Sequence, residues 1–131
     1  MDYLGSPLLV ELYDCDTTKL NDLKKLEAVL AESVRISGAT ALKTSFHQFA
    51  PQGVSGVIII AESHFTIHTW PEHAYAALDI FTCGHSIDSQ KALDYIEREL
   101  DVKTVSVTEM RRGNVHFPIK IDKISPKVGV F

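Results

Sequence analysis

Thirteen Lys and Arg against seventeen Asp and Glu leave this 131-residue chain at a net charge of −4, which excludes the basic stripe that a nucleic-acid scaffold needs. Hydrophobic residues at 45% and charged residues at 23% describe one globular domain over residues 1–131, long enough to hide about two-thirds of the surface an unfolded chain exposes. No apolar run approaches the roughly 20 residues of a membrane span. The start, Met1-Asp2-Tyr3-Leu4-Gly5, has neither the charge nor the apolar stretch of a secretion signal. Cys15 and Cys83 are the two cysteines and make no disulfide framework, so a reduced, cytoplasmic protein is expected. The basic pair Arg111-Arg112 reads as a solvated strand end.

In chain order, residues 7–13 read as a strand. Thr17 or Thr18 can cap a helix running to about Ser37, with Leu20, Leu23, Leu26, Leu30 and Val34 as its apolar stripe and Gly38 at the left-handed position that ends helices. Residues 39–49 look like a second strand, and Pro51-Gln52-Gly53 is turn chemistry. Val57-Ile58-Ile59-Ile60 is apolar on both faces, so both need cover. Helices cover one; a second sheet, from this chain or a twin subunit, covers the other. From His64 to Trp70 the pattern alternates, Phe65 and Ile67 on one side and His64, Thr66, His68 and Trp70 on the other. Pro71-Glu72-His73 turns the chain into a strand over 74–83. Ser86 or Asp88 opens a second helix burying Ala92, Leu93, Ile96 and Leu100, and residues 103–110 form a last strand. The tail after Gly113, with Pro118 and Pro126, is less regular. Long strands and two helices predict an α+β fold: a two-layer sandwich, mostly antiparallel, with both helices on one face of the sheet.

Reactive side chains concentrate in Glu62-Ser63-His64-Phe65-Thr66-Ile67-His68-Thr69-Trp70-Pro71-Glu72 and in Asp79-Ile80-Phe81-Thr82-Cys83-Gly84. Ser63 follows Glu62 at the junction of two strands. A hydroxyl there can attack the preceding carbonyl in an N-to-O acyl shift, helped by strain stored in a tight turn, or simply bond its own backbone. His68 is a base of the right pKa class, but five residues along a straight strand place it about 16 Å from Ser63. Contact then requires the chain to fold back, or a neighbouring strand to carry one group to the other; otherwise His68 points into a groove or dimer interface. His64 and His68 lie about 13 Å apart on a strand, too far to share a metal ion, and His47, His73, His85 and His116 have no ligand spacing. Cys83, before Gly84 at a strand end, is either a small buried hydrophobe or a proton donor or nucleophile. Cys15 reads as structural.

Those two motifs, with Phe46-His47-Gln48-Phe49 and Gly53-Val54-Ser55-Gly56-Val57 upstream, resemble the prokaryotic S-adenosylmethionine decarboxylase proenzymes over nearly the whole chain. The resemblance implies self-cleavage between Glu62 and Ser63 into residues 1–62 (β chain) and 63–131 (α chain). The Ser63 hydroxyl displaces the amide nitrogen to form an ester, loss of the serine α-proton eliminates it, and hydrolysis leaves a pyruvoyl group at residue 63. It also implies that His68 is the processing base, that Ser55 assists processing, and that Cys83 donates the proton in decarboxylation. A pyruvoyl ketone gives the electron sink that side chains lack, so neither metal nor pyridoxal phosphate is expected. Substrate contacts suggested for the adenine ring are Phe49 and Trp70, and for the ribose Glu72 or Glu11. Family members pair through their sheets, giving a dimer of processed αβ units in polyamine biosynthesis, with no nucleic acid and no membrane as partner. Two other readings compete: a pyruvoyl-dependent arginine decarboxylase with the same cleavage motif, and a small α+β binding module in which Ser, His and Cys are incidental.

Overall fold

The computed structural model describes residues 3–115; His116, Pro118 and Pro126 lie outside them. Eight strands and three α-helices follow in the order β1 (Tyr3–Gly5), β2 (Leu8–Tyr13), α1 (Thr17–Leu20), α2 (Leu23–Ser37), β3 (Thr40–Gln48), β4 (Val54–Ala61), β5 (Ser63–Trp70), β6 (Tyr75–Thr82), α3 (Ser89–Glu99), β7 (Thr104–Glu109) and β8 (Arg112–Asn114), with a 3-10 turn at Pro71–His73 between β5 and β6. Six strands form one sheet in the order β3-β4-β5-β6-β2-β7, and every neighbouring pair is antiparallel. The expected α+β architecture with a mostly antiparallel sheet is what the chain adopts.

Period-two alternation sorts the sheet into two unlike faces. Val10 and Leu12, Ile58 and Ile60, Phe65 and Ile67, and Ala76, Leu78 and Ile80 share one buried cluster with Leu26, Leu30 and Val34 of α2 and with Ala92, Leu93 and Ile96 of α3. Each such large side chain contributes about 1.5–3 kcal/mol when fully buried. Among the described residues, no helix lies on the other face. Leu9 is 37%, Tyr13 41%, Ile59 45% and Trp70 41% exposed there, which makes the doubly apolar β4 a strand with one face covered.

Three details depart from the expectations. The first helix is two. Asp16 caps α1 by accepting from the Lys19 N–H, and Asp22 caps α2 through the Lys25 N–H, so carboxylates rather than Thr17 or Thr18 start these helices. Asp88, one of the two expected starts, caps α3. The short strands β1 and β8 pair as a separate ribbon, Tyr3 opposite Asn114 and Gly5 opposite Arg112. Three residues alternating once carry no readable period, which hid them. Gly38 ends α2 at φ +88° as expected.

Candidate active site

Strands β4 and β5 form a hairpin whose register sets Ile60 opposite Ser63 and Ser55 opposite His68. The connection is so short that Ser63, the first residue of β5, sits at φ +104°. A residue with a Cβ rarely adopts that backbone, and strain of about 1–3 kcal/mol accompanies it. On its other side Ser63 lies opposite Thr82 of β6. The next residue, Cys83, leaves the strand before Gly84 turns the chain at φ +79°. That turn brings the Cys83 thiol to 3.5 Å from the Ser63 hydroxyl. Glu62 is exposed at the tip. Ser63, Glu62 and Cys83, chosen from sequence for chemistry, therefore meet at one end of the sheet.

The opposite end of the same hairpin holds the second group. The Ser55 hydroxyl lies 2.7 Å from His68 Nδ1, a direct consequence of their opposed positions. Phe49, Gln52, Ser55, His68, Trp70 and Glu72 line one cavity of about 290 Å³. The 3-10 turn after Trp70 swings Glu72 onto its rim. Of the four suggested substrate contacts, three line this cavity; Glu11 does not. The Glu11 carboxylate on β2 accepts from the Tyr75 hydroxyl at 2.5 Å and from Tyr13 at 3.4 Å. Burial first, and then that carboxylate, push the Tyr75 phenol well above its ordinary range. Trp70, Tyr75 and Tyr13 stand in a row of tilted rings, at centroid separations of 5.4 Å and 5.5 Å. The sequence reading missed Gln52 and both tyrosines. Tyr75 follows Trp70 across the turn and could have been placed from hairpin register alone, since the two are directly opposed.

Ser63 and His68 stay towards opposite ends of β5, about 16 Å apart along a strand. Among the described residues, no segment folds back to unite them. Cys15 stands apart from both groups: it is buried, and burial, reinforced by Asp14, pushes its thiol up to about 11, as suits a packing residue. Among the described residues, no three His, Cys, Asp or Glu side chains gather in a geometry for a metal ion, and no helix is long and apolar enough to cross a membrane.

The sequence and the fold both have counterparts among known proteins. The family model described as S-adenosylmethionine decarboxylase matches residues 6–113. The S-adenosylmethionine decarboxylase proenzyme of Clostridium tetani is 46% identical over 121 residues, covering 92% of this chain and 96% of that protein. Proenzyme 1 of Bacillus cereus is 48% identical over 120 residues, covering 92% of each. The crystal structure of the adenosylmethionine decarboxylase from Aquifex aeolicus superposes with a TM-score of 0.80 at 35% identity, over 86% of this chain and 93% of the other. The chain belongs to the S-adenosylmethionine decarboxylase family.

Proposed function

We propose that this protein cleaves itself between Glu62 and Ser63 and then decarboxylates S-adenosylmethionine. The observation that carries the reading is Ser63 itself: a hydroxyl in strained backbone at a hairpin tip, beside a thiol at 3.5 Å. Strain in the reactant is relieved when the Ser63 hydroxyl attacks the Glu62 carbonyl carbon and the amide nitrogen leaves as a free amine. The relatives, which are named proenzymes, are in keeping with such a step.

The site fits the implied pyruvoyl group, because Ser63 has a cleavable bond on one side and an acid on the other. When formed, that group supplies a sink for the electron pair left by departing carbon dioxide. Cys83 is placed to hand its proton to the carbon that lost the carboxylate. His68 has one ring nitrogen engaged by Ser55. When Nδ1–H donates to that hydroxyl, Nε2 is left free as a base. The cavity of Phe49, Trp70 and Glu72 offers aromatic faces to an adenine and a carboxylate to ribose hydroxyls.

One chain keeps its base and its serine apart, and its uncovered face exposes Leu9, Tyr13, Ile59 and Trp70. Both facts support a two-fold dimer with open faces packed about 10 Å apart. Two β5 strands then run antiparallel across the interface, and His68 of a second copy stands over Ser63 of the first. Two free cysteines and the charge balance suit a reducing, cytoplasmic setting.

Intact mass and carbon dioxide release test the proposal together. The purified chain, 14.6 kDa when whole, is expected to resolve into two pieces, the larger reactive toward borohydride. It should release carbon dioxide from S-adenosylmethionine and not from arginine. Ser63→Ala should stay whole, and Cys83→Ala should cleave yet turn over at least a hundredfold more slowly, the usual loss for a missing proton donor being about 10²–10⁴. Arginine turnover, or an active chain with an ordinary amine at residue 63, overturns it.

A further inference from the structure

The break between α1 and α2 has a consequence for the substrate cavity. Asn21, at the C-terminal cap of α1, turns its side chain toward the loop joining β3 to β4. Its Oδ1 accepts from the Gly53 N–H at 2.9 Å and from Gln48 Nε2 at 3.0 Å. Gln48 Nε2 and the Phe49 N–H both donate to the Gly53 carbonyl, at 2.9 Å and 2.8 Å. One residue earlier, the Leu20 carbonyl accepts from the buried Thr69 hydroxyl at 2.7 Å, and the Thr69 Oγ1 itself accepts from the Val54 N–H at 2.9 Å. Thr69 lies between His68 and Trp70. The end of α1 therefore holds both walls of the cavity, the 49–53 loop and the 68–70 segment.

Phe49 also meets the His47 ring edge-on at 4.6 Å, so Asn21 shares the support of the loop. Behind it lies an open cleft of about 780 Å³ lined by Thr17, Asn21, Lys24, Gln48, Gln52 and Pro71. Asn21 Oδ1 ties the loop to α1 through the two bonds it accepts from Gly53 and Gln48, and so bears on where Phe49 and Gln52 stand on the cavity side. Gly53, at φ +103°, has its backbone so near Thr69 that an added Cβ would stand 3.2 Å from the Thr69 carbonyl, so the two walls of the cavity meet at this residue.

We propose that Asn21 is a positioning residue for the substrate: it sets the 49–53 loop, and with it Phe49 and Gln52, at the spacing that closes on the adenosyl end of S-adenosylmethionine. This rests on the cavity being the substrate site. Trp70, the single tryptophan of the chain, lines that cavity and reports on binding without turnover.

The test is a fluorescence titration with S-adenosylmethionine in a Ser63→Ala background, which cannot form the prosthetic group, alongside steady-state kinetics in the cleaving chain. Asn21→Ala should weaken binding and raise KM about tenfold, the loss expected for two hydrogen bonds, with kcat and the rate of self-cleavage within twofold. Asn21→Asp keeps an acceptor oxygen for both donors and should restore KM to within about threefold. Unchanged binding in Asn21→Ala overturns the proposal, as does a parallel fall of kcat, cleavage and melting temperature, and as does Asn21→Asp failing like alanine. A Ser63→Ala chain that does not bind S-adenosylmethionine at all would instead overturn the substrate assignment.

Discussion

Two cysteines and two serines show how little residue type decides by itself. Cys15 and Cys83 both follow apolar strands, yet one is sealed in the core and the other reaches a hydroxyl. For Cys15, burial raises the thiol from 9.0 to about 11. Above pH 9 the unfolded chain gives up a proton that the folded chain keeps, so this thiol's contribution to stability is complete below that pH and fades as pH rises towards 11. Urea midpoints measured at pH 8 and pH 10 should therefore fall further for the unsubstituted chain than for Cys15→Ala; equal falls would show that this thiol is not shielded. Ser55 and Ser63 differ in the same way, one bonded to an imidazole across a strand pair and the other standing in left-handed backbone. Composition and motif picked out all four; their neighbours came from strand register.

At the scale of elements, aspartates rather than threonines start the helices. A carboxylate both accepts a free N–H and favours the positive end of the helix dipole. Asp88 accepts from the Lys91 N–H at 3.1 Å, so Asp88→Ala should cost about 1 kcal/mol in urea unfolding, with Asp88→Ser costing much less. Asp88 lines a cavity together with Thr82, the residue opposite Ser63, so the self-cleavage rate of Asp88→Ala is measured beside its stability: an unchanged rate shows that the cap serves the helix alone, and a slower one links it to the site. The α1–α2 break escaped notice because Leu20, Leu23 and Leu26 keep helical spacing straight through it. An apolar period records which side is buried and is blind to a change of axis. The 3.6 and 2.0 periods were clear enough to place β2, β3, β4, β5, β6, β7, α2 and α3 within a few residues.

At the scale of the whole sheet, the described residues leave one face under helices and the other open. Helices seal the first; the second exposes Leu9, Tyr13, Ile59 and Trp70. If packed open faces complete the site, damage to its two halves can be repaired between subunits. Chains carrying Ser63→Ala and chains carrying His68→Ala should each stay largely whole alone. Co-expressed, the His68→Ala chain should be cleaved, because its intact Ser63 meets His68 of the other copy. Absence of cleavage in the mixture, with both chains folded, would place the base and the serine in one subunit after all.

The order of residues by itself determined the layers, since alternation and helical spacing state which side of each segment avoids water. It also marked Glu62-Ser63, His68 and Cys83 by their motif. Who stands beside whom was settled only in three dimensions. A period-two pattern assigns a face but no partner, and the strand order β3-β4-β5-β6-β2-β7 inserts β2 between β6 and β7, far from its neighbours along the chain. That pairing brings the Glu11 carboxylate to Tyr75. The hairpin register joins Ser55 to His68 and parts His68 from Ser63, because hydrogen bonds between strands, not distance along the chain, choose the contacts.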